Sequence, residues 1–110
     1  MLPETSESTV SPSTVVISEC SISDNRNGVV SDASGTAEVF TTLDRVVIAN
    51  NLNRGVRVLN DKNNVKITNS VITGNAMGLD EAGGAIVSFG NNVIRDNTTD
   101  GNPTSTVPLR

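Results

Sequence analysis

A chain of 110 residues has room for one domain. Its formal net charge of −4, with the basic residues scattered rather than clustered, argues against a nucleic-acid partner. The absence of histidine excludes Ser-His and Cys-His nucleophilic catalysis and most zinc sites, and the absence of Trp and Tyr leaves only Phe40 and Phe89 as platforms for a sugar ring.

Residues 1–12, MLPETSESTVSP, have the Ser, Thr, Glu and Pro composition of a flexible lead-in. Met1-Leu2-Pro3-Glu4 shows neither the basic start nor the apolar middle of a signal peptide, and no apolar run reaches the roughly 18 residues of a membrane span. Leu2 to Ser6 resembles a sortase sorting motif, but without the apolar tail that such a motif precedes.

From residue 13 the chain repeats. With Val15, Thr41, Val65 and Val87 in register, Ile17, Leu43, Ile67 and Phe89 coincide two places on, and Ile22, Ile48, Ile72 and Ile94 coincide five places further. Three more places bring Asn25, Asn51, Asn75 and Asn97 into one column, and Gly28, Gly55, Gly78 and Gly101 follow within three or four residues. A repeat of this length with a fixed apolar skeleton signals a solenoid, whose units bury their faces only against their neighbours. Short alternating runs rich in Val, Ile and Thr, with no helical periodicity, make each unit two or three short strands with corners at Asn and Gly. The reading is all-β: a parallel β-helix of about four turns, 13–38, 39–62, 63–84 and 85–101. Residues 102–110, with Pro103 and Pro108, are expected to cap or leave the open end.

The stretches ITNSVITGN and GLDEAGGAIVSFGNNVIRDNTTDGNPTSTVPLR give the chain a resemblance, over residues 13–110, to the right-handed parallel β-helix family, the pectate-lyase-like superfamily. In particular it is similar to the C-terminal part of secreted bacterial β-helix proteins of unassigned function. The resemblance implies a secreted, cell-surface or periplasmic setting and longer relatives with more turns. Fold alone assigns no activity.

The asparagine column is expected to form a ladder along the stack, with Asn25, Asn51, Asn75 and Asn97 satisfying backbone groups at one corner. Asn97 also begins the sequon Asn97-Thr98-Thr99, although a ladder position would hide it. The columns containing Ile17, Leu43, Ile67 and Phe89, and Ile22, Ile48, Ile72 and Ile94, are expected to be core. Cys20, beside the second of these, is read as a buried, inert thiol. Val47, Val71 and Val93 precede the isoleucines by one place and point outward, either because valine suits a strand or as a contact row for a partner.

Sugar cleavage needs two carboxylates roughly 5 to 9.5 Å apart, and the nearest candidates are Asp80 and Glu81, with Arg57 stacked on Asp80. An intercoil salt bridge is the simpler reading of Arg57 and Asp80, and also of Glu19 and Arg45. No calcium-binding nonapeptide continues from Gly83-Gly84-Ala85-Ile86, and no cofactor is expected. These residues point to a non-catalytic structural or interaction module. The alternative is a remnant of a polysaccharide-active lyase or glycosidase whose active turns lie upstream or are lost. The expected partners are another copy, through the N-terminal solenoid end, and carbohydrate.

Overall fold

A computed structural model describes residues 13–108. The lead-in expected for residues 1–12 lies outside the described residues. The chain runs as a parallel β-solenoid. Its first turn is β1 (Ser13–Ser18), β2 (Ser21–Ser23) and β3 (Asn27–Ser31); the second is β4 (Val39–Asp44), β5 (Val47–Ala49) and β6 (Arg54–Leu59). The third is β7 (Asn63–Thr68), β8 (Val71–Thr73) and β9 (Met77–Ala82), after which come β10 (Ala85–Phe89), β11 (Val93–Arg95) and β12 (Ser105–Val107). Like strands of successive turns stack into three parallel sheets, β1-β4-β7-β10-β12, β2-β5-β8-β11 and β3-β6-β9. Three turns are therefore complete and a fourth has strands on two faces only, against the four expected. The tail crosses the end of the stack and adds β12 in parallel to β10, with Ser105 opposite Val87.

The core is a set of stacked columns. Ile17, Leu43 and Ile67 are in register, as are Ile22, Ile48, Ile72 and Ile94. Val29, Val56 and Leu79 form the third wall. Leu43, Ile48, Val56, Ile67 and Ile72 are fully buried, while Ile94, in the last turn, is partly buried against the cluster. Such columns are what period-2 alternation produces when every turn repeats the same inward set.

Phe89 does not continue the Ile17, Leu43, Ile67 column. Ser88 stands opposite Ile67, and Ile86, not Val87, stands opposite Val65. The bend from Ser88 to Val93 holds one residue more than the bend from Ile67 to Val71, and that residue restores the register by the time Val93 meets Val71. A one-residue shift exchanges the faces of a strand. Phe89 is therefore half-buried, and Ser88, 5% exposed, lies inside. Its hydroxyl accepts a hydrogen bond from the Asn92 Nδ2 at 2.9 Å. Asn92 also donates to the carbonyls of Ile67 (2.6 Å) and Phe89 (3.0 Å) and accepts from the Ser70 N–H, so the longer bend is tied down by one amide.

The asparagine column makes a directional set of bonds. The Asn51 Nδ2 reaches back to the Ile22 carbonyl, the Asn75 Nδ2 to that of Ile48 and the Asn97 Nδ2 to that of Ile72. Each Oδ1 accepts from the backbone N–H of the asparagine one turn earlier, at 3.1, 2.9 and 2.9 Å. Asn51 and Asn75 also pass an amide proton to the Oδ1 of the asparagine that follows, at 2.8 and 2.9 Å. In the first turn Asn25 joins through its backbone N–H alone and its side chain is exposed. At the other end Asp100 takes the place of a further asparagine: its Oδ1 accepts from both the backbone N–H (3.2 Å) and the Nδ2 (3.0 Å) of Asn97.

The glycines after this column are required by close approach. A Cβ on Gly55 would lie 2.8 Å from the Gly78 carbonyl oxygen and 3.0 Å from the Asn75 Nδ2. The column runs Gly28, Gly55, Gly78 and then Asp100, because Thr99 bridges Met77. Gly101 falls one place later, at φ 78°.

Asn51→Ala and Asn75→Ala should each destabilise the fold by about 1 to 3 kcal/mol, since each leaves a buried corner N–H and a carbonyl without partners. Asn53→Ala, outside the column, should cost far less. Urea melts that give all three variants the same midpoint would contradict this assignment of the corner bonds.

Candidate functional site

Four places on the surface gather polar or apolar groups. On the outer face of the third sheet, Arg57 stands opposite Asp80 in register. The Asp80 Oδ2 lies 3.2 Å from the Arg57 Nε and 2.5 Å from the Nε of Arg54, a residue absent from the sequence-derived candidates. The Asp80 side chain retains 14% exposure, and both guanidinium groups close over it. Neighbouring residues on a strand face opposite ways. Glu81 accordingly serves elsewhere, its Oε2 accepting from the Thr104 hydroxyl. That hydroxyl also accepts the Ile86 N–H at 2.8 Å, which fastens the tail across the end of the stack. Asp80 and Glu81 thus have separate structural partners and do not form the facing pair that acid and base chemistry on a glycosidic bond requires.

The first bend of each of the three complete turns has a left-handed residue, Glu19, Arg45 and Asn69 in succession. This common geometry brings the Arg45 Nη2 to 3.2 Å from a Glu19 oxygen and 3.3 Å from an Asp44 oxygen. The group is solvated, so it is worth little to stability. Cys20, next to this bend, is exposed, contrary to expectation. Its column partners Val46 and Ser70 are each 1% exposed because they lie between turns, whereas no described turn covers Cys20.

On the second sheet Val47, Val71 and Val93 stack in register and point outward, with Val47 and Val93 41% and 48% exposed and Val71 half-buried. The strands here are three residues long, so the row is narrow.

The fourth place comes from an insertion. Between Asn51 and Gly55 the second turn holds one residue more than the first and third turns do between Asn25 and Gly28 or Asn75 and Gly78. The extra residue bulges, with the N–H groups of Asn53 and Arg54 both directed at the Arg26 carbonyl. Leu52 is pushed out to 71% exposure. Beside it is an open notch of about 340 Å³ lined by Asp24, Asn25, Arg26, Asn50 and Leu52. Bulges commonly re-aim a side chain in this way. The signal was present in the sequence as the irregular Asn-to-Gly distance.

Among the described residues no group of three or more Asp, Glu, Cys or His side chains is gathered closely enough to hold a metal ion. No helix of the described residues is long and apolar enough to cross a membrane.

Asp80→Ala should destabilise the fold by about 1 to 3 kcal/mol by leaving two partly desolvated guanidinium groups without their shared carboxylate. Glu19→Ala, at a solvated pair, should cost under about 1 kcal/mol. Thermal or denaturant melts of the two variants check the contrast, and equal losses would refute it.

Comparison with known proteins adds the family. No curated protein and no solved structure matches the chain. The sequence model for the right handed beta helix region matches residues 7–110, nearly the whole chain. Together with the three stacked parallel sheets, this match shows that the chain belongs to the right-handed β-helix family.

Proposed function

We propose that this chain is a non-catalytic structural or interaction module of a secreted β-helix protein. The observation that carries the reading is the engagement of Asp80 by Arg54 and Arg57, and of Glu81 by Thr104. The carboxylates best placed for sugar chemistry are used to bind one turn to the next. The resemblance of the last two turns to exported bacterial β-helix proteins supports the secreted setting and a role as the C-terminal part of a longer chain.

The notch beside Leu52 favours a second reading, in which the module derives from a polysaccharide-active protein and still holds a saccharide without cleaving it. Leu52 offers an apolar pad against one ring face, and the amides of Asn25 and Asn50 with the charges of Asp24 and Arg26 offer hydroxyl partners.

Incubation of the chain with pectin, with and without calcium, should release no unsaturated sugar, and calcium should leave the melting temperature within a degree or two. Release of unsaturated product would overturn the non-catalytic reading. On a glycan array, the saccharide reading expects binding that Leu52→Ser reduces at least tenfold; an empty array eliminates it.

A further inference from the structure

The outer face of the third sheet holds more positive charge than its own ion pairs use. In β6 Gly55 and Val56 are both buried, so the strand does not alternate there, and Arg54 and Arg57, three residues apart, share the outer face. Both guanidinium groups approach the same oxygen of Asp80. One carboxylate is thus set against two cations. The strands NGVVS, RGVRVL and MGLDEA hold one further charge, Glu81, which stands opposite the buried Val58 and engages Thr104. The outer face is left with one unbalanced positive charge, on a chain whose formal net charge is −4.

The hydrogen-bond donors of the pair are largely unspent as well. A guanidinium has five N–H groups in a fixed fork. Arg54 gives its Nε–H to Asp80, whereas the Arg57 Nε, although 3.2 Å from the same oxygen, makes no hydrogen bond with it. Among the described residues no acceptor takes a hydrogen bond from an Nη nitrogen of either side chain. Buried polar atoms without partners are few in a native fold. The two found among the described residues, the Arg57 Nε and the Asn27 Oδ1, both belong to this face, since Asn27 stands opposite Arg54.

We infer that Arg54 and Arg57 form a binding site for a tetrahedral oxyanion, the sulfate or phosphate group of an ester. This rests on the reading of the chain as an interaction module. The guanidinium fork matches oxyanions in shape and charge. A planar carboxylate fills the fork of one guanidinium, whereas the three terminal oxygens of a sulfate or phosphate ester can meet donors of both. Each arginine side chain is only 33% exposed, and partial removal from water strengthens its attraction for an anion. Asp80 already holds the two side chains together, so binding has little left to order. The site does not depend on how many turns the stack has. A repeat contacts its neighbours along the axis, so turns added at either end lengthen the sheet and leave its outer face uncovered.

Glucose 6-sulfate and glucose 6-phosphate, titrated into the full chain at constant ionic strength, test this through the side-chain Nε–H resonances of the arginines. Such anions can raise a melting temperature by exclusion from the surface alone, so the resonances are the readout. Arg54 and Arg57 should shift saturably, with a dissociation constant on the order of 1 mM, and the tighter ester names the source of the oxyanion. Glucose and sodium chloride should shift neither. Arg54→Lys and Arg57→Lys keep the charge and remove the fork, and each should weaken binding about tenfold with the circular dichroism spectrum unchanged. Arg45→Gln, which removes a positive charge elsewhere, and Leu52→Ser, at the notch, should leave binding as it is. No saturable shift with either ester, equal shifts with chloride, binding that survives both lysine variants, or loss of binding on Arg45→Gln or Leu52→Ser would each overturn the inference. The non-catalytic reading stands or falls separately, on the pectin assay.

Discussion

Every turn of this solenoid has to change direction at the same places, and at each corner the backbone leaves the sheets that would otherwise satisfy it. A buried N–H or carbonyl without a partner costs as much as a lost hydrogen bond, so a stack of corners holds only if something replaces the sheet bonds. Here the replacement is the side-chain amide. Asn51, Asn75 and Asn97 each bridge from their own turn to the one before, taking a backbone N–H with the oxygen and giving an amide proton to an isoleucine carbonyl. The carbonyls of the Ile22, Ile48 and Ile72 column are held this way, and the following glycines must lack side chains because the next turn's backbone carbonyl and the amide together fill the space.

Asn63 applies the same chemistry where the repeat offers no precedent. It is fully buried, opposite Val39 in the preceding turn. Its Oδ1 accepts from the Ser31 hydroxyl and the Ala33 N–H, and its Nδ2 donates to the carbonyls of Ala33 and Leu59. One side chain thus pins the longest corner of the first turn to the end of β6. In the sequence Asn63 stands among Asp61, Lys62 and Asn64, and a polar residue that enters an inward column once leaves no periodic trace. Asn92 was hidden for a related reason, being needed only because its bend is one residue longer.

Legibility therefore follows repetition. The column of Ile22, Ile48, Ile72 and Ile94, the placement of the four asparagines and the stacking of Arg57 on Asp80 were all readable, because each recurs at the same offset from its neighbours. Phe89 was misplaced because apolar character was matched where length should have been: the strand register follows from the residues in the bend. Cys20 occupies the expected column, but a column position implies burial only where turns lie on both sides. Arg54, Leu52 and Asp100 sit where the repeat breaks, at an inserted residue or at an end, and there only geometry shows what they do.

The separation of the bonded asparagines is one turn of chain, 26, 24 or 22 residues, and it does not grow along the molecule. Closing a loop costs entropy that rises with the logarithm of its length, so the fourth turn meets nearly the same closure cost as the second. Folding becomes a set of near-equal steps in which each added turn exchanges donors and acceptors only with the turn beside it. A globular core of the same size must bring distant segments together at once; here each turn pairs only with its neighbours, so folding can nucleate at any turn and propagate, and the length can change by whole turns without renegotiating the rest.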